Sequence, residues 1–332
     1  MAKAPGILIL KRSEVSSVVT LVDCIGAVEA AFRMYAEGKS LEPGLLHTDS
    51  PPGEFHVKAG GLKLDRTYFC LKVNGSFFQN RERYGLPNIQ GAILLFDGDH
   101  GYPLAIMDSM EITILRTGAA VAVAAKYLAR PESSVATICG CGNQGRVQLR
   151  ALLQVLPIQR AFGFDGNMEI AKRYAVEMSQ ELGIAVTAEA GLQKAMEQSD
   201  IVVTCTPSKK YYVHKSYVRP GTFLAAVGAD SPDKQELEPT LLVGSKVVVD
   251  LLDQCAHVGE LHHALAAGLL SESDVHGELG AIVAGQISGR TSDQEIVVFD
   301  ATGTALQDAA AGVLAYQRAV QAGIGQTVFL PD

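Results

Sequence analysis

Tryptophan is absent from the 332 residues, and aromatic side chains make up only 6% of the chain, an ordinary profile for an α/β protein. Basic clusters are missing as well. The 28 Lys and Arg are scattered among 36 Asp and Glu for a net charge of -8, which excludes nucleic acid as the main partner. No apolar run approaches the ~18 residues that cross a bilayer, so no membrane association is expected. The apolar start Ile7–Leu10 runs straight into Lys11 and Arg12, too short for a secretory signal. The six cysteines lack a disulfide-scaffold rhythm, and several sit in apolar runs as reduced core cysteines do, so a cytoplasmic location is expected. Repeats and low-complexity segments are also lacking.

What the chain does have is 48% hydrophobic residues, enough to bury a sizeable core over two domains. Apolar residues from Val22 to Gly38 recur at helical spacing. The patches Pro43-Gly44 and Pro51-Pro52-Gly53 are expected to break regular structure. Strands are expected at 54–59, 68–73, 89–97 and 104–108, separated by the turn dipeptides Asn74-Gly75 and Asp97-Gly98. Asp108 and Ser109 then cap a long helix to Leu128, ended by Arg130-Pro131. Beyond it the texture changes to short apolar runs alternating with helical stretches: 135–139, 160–165, 185–189, 201–206, 222–227, 246–250 and 295–300. Buried parallel strands joined by helices look like this. The reading is an α/β chain with a first domain over 1–130 and a doubly wound parallel sheet over 131–306. The last helix, within 307–332, is expected to pack back onto the first domain.

The strongest local motif is Gly140-Cys141-Gly142-Asn143-Gln144-Gly145, a complete G-x-G-x-x-G that follows the run 135–139 and opens a helix. In that setting glycine permits a tight turn and close approach of a pyrophosphate, and the helix N-terminus faces the phosphate charge. Asp165 ends the next strand, some twenty residues beyond Gly145, where a carboxylate accepts the ribose hydroxyls and repels a 2′-phosphate. NAD(H) is therefore the expected cofactor. Thr204 and Thr206, and Val227 through Asp230, follow two further strands and fall at carboxyl ends, where open α/β sheets bind ligands. Asp300 ends the last strand, where a cofactor-orienting role is expected.

These segments, together with FCLKVNG (69–75), ILRTGAA (114–120), GADSPDKQEL (228–237) and VFDATG (298–303), resemble the ornithine cyclodeaminase/μ-crystallin family over nearly the whole chain. The family includes amino-acid cyclodeaminases, archaeal-type alanine dehydrogenases, imino-acid reductases and a hormone-binding crystallin. The resemblance implies a homodimer in which an α+β domain carries the substrate site and dimer contacts and faces a Rossmann domain. It implies that Lys72 and Arg116 bind a small amino- or imino-acid substrate and that Asp230 is the catalytic acid/base, with Lys72 taking part. Asn88 falls where cyclodeaminases place a substrate-contacting threonine. An arginine that grips the substrate carboxylate in several members is missing near 43–47; His47, His56 or Lys58 are the candidates to replace it.

The residue chemistry agrees. Arg116 offers a planar fork for a carboxylate, and an inward lysine at position 72 of an alternating strand is costly unless it meets an anion. When hydride leaves an α-carbon the amine becomes an iminium, and a carboxylate such as Asp230 takes the proton. Cyclodeaminase, dehydrogenase and reductase chemistries all need these residues. The alternative from another class is a crystallin-like cofactor- or ligand-binding protein with little catalysis. No metal is expected: His257, His262 and His263 with Glu260 lack ligand spacing and read as solvated helix histidines. Cys139 and Cys141 read as packing residues.

Overall fold

The computed structural model describes residues 6–329, which divide into two compact units, 6–116 with 304–329, and 117–303. The division falls between Arg116 and Thr117, inside the helix Ser109–Leu128, rather than after Arg130 where the sequence texture changes. A continuous helix gives no local signal of where its tertiary allegiance changes.

Among the described residues, the first unit is built on a seven-stranded sheet in the order Gln326–Val328, Ile7–Leu10, Pro103–Asp108, Ile89–Asp97, Thr67–Ser76, Gly53–Lys63, Ser40–Ser50. Two expectations fail here. Pro43-Gly44 does not break structure; it lies in the edge strand Ser40–Ser50, where the ladder shifts register between Leu41 and Gly44. An edge strand with a bulge tolerates proline because no ladder N–H is needed there. Asn74-Gly75 is not a turn either: Asn74 lies mid-sheet, opposite both His56 and Gly91, and pairing on both flanks overrides the local turn preference. Ile7–Leu10, too short to read, becomes a strand because Pro103–Asp108 and Gln326–Val328 complete its ladder.

The C-terminal helix Ala305–Ala322 packs on the strands Gly53–Lys63 and Thr67–Ser76 and on the helix Leu21–Ala36. Its buried face is alanine-rich, which allows a close approach: a Cβ on Gly60 would lie 2.9 Å from that of Ala305. Asp23 and Arg318 tie the two helices by a bidentate pair at 2.5 and 2.7 Å.

The second unit holds an eight-stranded sheet, parallel throughout, in the order Gly277–Glu278, Lys246–Val249, Val297–Asp300, Phe223–Ala226, Ile201–Thr204, Val135–Cys139, Arg160–Phe164, Ala185–Ala188. This is the doubly wound sheet expected from the alternating texture. The chain runs outward from Val135–Cys139 in one direction and then returns to Ile201–Thr204 on its other flank. That reversal is a topological switch point, where ligands bind at the carboxyl ends of strands.

Candidate cofactor and substrate sites

At the switch point the three glycines of the motif play different parts. Gly140 has φ +101°, and its position leaves a Cβ only 3.0 Å from the Cys205 carbonyl oxygen. Gly145 is packed tighter: a Cβ there would lie 2.0 Å from the Gly140 oxygen, so only glycine lets the helix Asn143–Leu152 sit on its strand. Gly142 is the opposite case, with nothing within 4 Å of a Cβ. It forms the N-cap of the helix without any side-chain cap bond, beside open space at a positive dipole end. Asn143 and Gln144 form the first turn. The helix begins at Asn143, inside the motif.

Asp165 stands just past the strand Arg160–Phe164. Its carboxylate accepts from the Cys141 N–H at 3.0 Å and the Asn167 N–H at 2.9 Å, which fixes it against the glycine turn. A pyrophosphate at Gly142 and ribose hydroxyls at Asp165 fit this arrangement. Cys139 and Cys141 are buried, and burial pushes the Cys141 thiol up to about 12, so it stays protonated.

The next two strand ends are locked by one carboxylate that sequence reasoning missed. Glu236, fully buried, accepts the Thr206 N–H and Oγ1–H, each at 2.7 Å, the Tyr212 hydroxyl at 2.8 Å and the Gly228 N–H at 3.0 Å. Burial raises its pKa, against hydrogen bonds from Thr206, Thr204 and Tyr212 that lower it. Glu260 in turn accepts the Glu236 and Leu237 N–H groups, and Asp300 accepts the Leu261 N–H at 2.9 Å. Asp300 therefore anchors the helix Glu260–Ala266 from a position with no exposed surface, and burial pushes its carboxyl up to about 7. Thr204 is buried in its strand, and Val227 closes the adjacent ladder by donating to the Thr204 carbonyl.

Asp230, beyond that tie, is about one-third exposed and forms an ion pair with Lys234 Nζ at 2.6 Å. Lys234 was also missed; its spacing of four residues from Asp230 was the available signal. His263 is not a solvated residue: its Nε2 meets the Lys234 carbonyl at 2.8 Å. His257 is exposed.

In the first unit the strand Thr67–Ser76 alternates strictly, and Lys72 points inward, 2% exposed. It stands in register with Lys58, also buried, across the ladder. Like charges directly opposite are unfavourable, and the counter-charge comes from a residue absent from the sequence reading. Asp308, wholly buried in the first turn of the C-terminal helix, meets Lys72 Nζ at 2.6 and 2.8 Å and Arg116 Nε at 3.2 Å. Arg116 also donates to Gln307 Oε1 at 2.9 Å. Burial lowers the pKa of the Lys72 ammonium, while Asp308 raises it. Burial pushes the Asp308 carboxyl the other way, but Lys72, Arg116 and Lys58 hold it below the usual range. The sequence separates Lys72 and Asp308 by more than two hundred positions, and no local pattern links them.

Asn88 is engaged elsewhere: its Oδ1 accepts the Arg81 N–H at 2.9 Å and closes the short helix Asn80–Tyr84. His47 lies opposite His56 on the edge hairpin, with Lys58 opposite Leu45.

Residues 7–323 match the ornithine cyclodeaminase/mu-crystallin family. An alanine dehydrogenase of Archaeoglobus fulgidus is 39% identical over 97% of this chain and 98% of its own length. Among solved structures, an archaeal alanine dehydrogenase dimer with bound NAD superposes with a TM-score of 0.93 at 38% identity, covering 98% of this chain and 99% of that one. A Δ(1)-pyrroline-2-carboxylate reductase of Thermococcus litoralis, in complex with NADH and L-proline, superposes with a TM-score of 0.93 at 35% identity, over 97% of this chain and 100% of that one.

Proposed function

The chain belongs to the ornithine cyclodeaminase/mu-crystallin family, and from that premise we propose that it is an NAD(H)-dependent enzyme that moves a hydride at the α-carbon of a small amino or imino acid. The observation that carries this reading is the charge balance of the first unit. Lys72 and Arg116, with Lys58 buried beside them, are cations set around the single carboxylate of Asp308. The excess positive charge favours a substrate carboxylate, and Arg116, with its Nε and one terminal nitrogen occupied by Asp308 and Gln307, is held in a fixed orientation to meet it.

Gly140, Gly142, Asn143, Gln144, Gly145 and Asp165 would hold NAD(H), which supplies or accepts the hydride. Thr204, Thr206 and Val227 shape the neighbouring strand ends. Asp230 is the acid/base: it takes a proton from the substrate ammonium as the α-carbon is oxidised, or returns it to the imine nitrogen on reduction. Lys234 pairs with the Asp230 carboxylate and holds it in place. Lys72 binds the substrate carboxylate. In this scheme Asp300 acts on the cofactor only through the helix it anchors, and Lys58, His47 and Asn88 are further candidates for substrate contact.

The first unit serves for substrate binding and dimerisation and the second for cofactor binding. The homodimer belongs to the same proposal, supported by the dimeric archaeal alanine dehydrogenase, and sedimentation of the purified chain tests it. The cysteines are all free among the described residues, which fits the reducing cytoplasm.

The decisive experiment follows NADH absorbance with pyrroline-2-carboxylate, piperideine-2-carboxylate, and pyruvate, glyoxylate or oxaloacetate each with ammonia. Ornithine and lysine with NAD are assayed beside it for ammonia release. Oxidation of NADH by one imine is expected, and names the substrate. Ammonia from a diamine without net NADH change makes the enzyme a cyclodeaminase. Silence in both arms overturns the catalytic reading in favour of a binding protein.

A further inference from the structure

We infer that His47, Glu54 and His56 form a binding site for a zinc-like divalent transition-metal ion on the edge hairpin of the first unit. The site arises from strand register. The hairpin turns at Pro51-Pro52 and pairs His47 directly with His56, so both imidazoles stand on one face. Glu54 precedes His56 by two residues and shares that face, because side chains along a strand alternate. The two rings lie edge to face, with centroids 4.7 Å apart and an interplanar angle of 84°, so their nitrogens converge. His56 Nε2 is 3.1 Å from Glu54 Oε1, and His47 Nε2 is 3.8 Å from Glu54 Oε2. All three ligand atoms fall within 4.8 Å of one another.

Those spacings suit a tetrahedral ion. Zinc bonds of about 2.0–2.2 Å place neighbouring ligand atoms roughly 3.3–3.5 Å apart. The His56–Glu54 and His47–Glu54 distances lie within about half an ångström of that spacing, and the two imidazoles, no more than 4.8 Å apart at their ligand atoms, close onto the ion by side-chain rotation. Two imidazoles and a carboxylate form a ligand set that zinc takes, with a fourth position left open. Asp49 Oδ1 lies 3.2 Å from His47 Nε2 on a largely exposed side chain, beside the set of three. The Glu54 carboxylate offsets one of the ion's two charges. Burial is graded: the His56 side chain is 6% exposed, Glu54 17% and His47 26%, so the site has a fixed floor and an open entry. In sequence the ligands appear only as H-x6-E-x-H, and the register that joins them appears only in the folded hairpin.

The test uses the full-length chain, stripped with chelator and titrated with Zn²⁺ by calorimetry and with Co²⁺ by visible absorption. We expect uptake of one ion per chain, and intense cobalt d–d bands typical of a four-coordinate site. His47→Ala and Glu54→Gln, each checked for native circular dichroism, should each weaken binding at least tenfold. His257→Ala, on an exposed helix remote in sequence, should leave it unchanged. Absence of uptake by the wild-type chain overturns the site, as does uptake that neither ligand substitution affects. The readout is metal binding and not turnover, so its outcome is independent of the proposed reaction.

Discussion

Burial lowers the pKa of the Lys72 ammonium to about 7, and Asp308 is what favours its charged form where water cannot reach it. Removing one partner of a buried ion pair leaves an uncompensated charge and costs about 3–5 kcal/mol. Asp308→Asn should destabilise the first unit by about that amount in urea unfolding, and Lys72→Met by less, because Arg116 still faces the Asp308 carboxylate. The double variant should lose clearly less than the sum; full additivity would show that the pair at 2.6 Å is not coupled. Asp230 lies in a different setting, about one-third exposed and paired with Lys234. Asp230→Asn should leave stability within about 0.5 kcal/mol and NADH binding intact, while turnover falls at least a hundredfold for loss of the acid/base group. Turnover close to wild type would remove Asp230 from that role.

At the scale of elements, the glycine turn offers a paired contrast. Gly145→Ala drives a Cβ to 2.0 Å from the Gly140 oxygen and must lift the helix Asn143–Leu152 off its strand. Overpacking of this kind costs about 1–3 kcal/mol, so both thermal stability and NADH affinity should fall. Gly142→Ala meets nothing within 4 Å, so it should leave the melting temperature nearly unchanged while weakening NADH binding. Equal NADH affinity in Gly142→Ala and wild type, by fluorescence titration, would place the pyrophosphate elsewhere. Glu236 ties two strand-end loops through Thr206 and Gly228. Glu236→Gln replaces an acceptor oxygen with a donor nitrogen among these donors. It should lower kcat more than it raises KM if the loops position Asp230, whereas a purely structural tie would lower stability alone.

The whole molecule has a pH signature set by buried carboxylates in the second unit. Burial raises Asp300 to about 7 from an ordinary value of 3.8, and raises Glu236 and Glu260 in the same direction. An acid raised on folding binds its proton more tightly folded than unfolded. The stability it contributes is therefore present below the unfolded pKa and is lost as pH rises through the folded one. Asp300→Asn cannot ionise, so its stability relative to wild type should improve between about pH 4 and pH 8, by at most about 4 kcal/mol. A difference that stays flat across that range would mean that Asp300 ionises as freely in the folded chain as in the unfolded one.

The sequence by itself determined the parallel sheet of the second unit, because buried strands joined by helices leave an alternation of apolar runs that survives in one dimension. It also determined the glycine fingerprint with Asp165, whose parts lie within one βαβ unit and whose spacing is the chemistry. As candidate site residues, Lys72, Arg116 and Asp230 come only from family motifs, since a lone lysine or aspartate looks the same on a surface as in a site. Tertiary structure alone decided the rest. Asp308 finds Lys72 across most of the chain, Glu236 collects four donors from three segments, and Asn74-Gly75 is held straight by strands on both sides. Such pairings depend on which strands become neighbours. Neighbourhood in a sheet is set by the burial of whole faces, and no local run of residues encodes it.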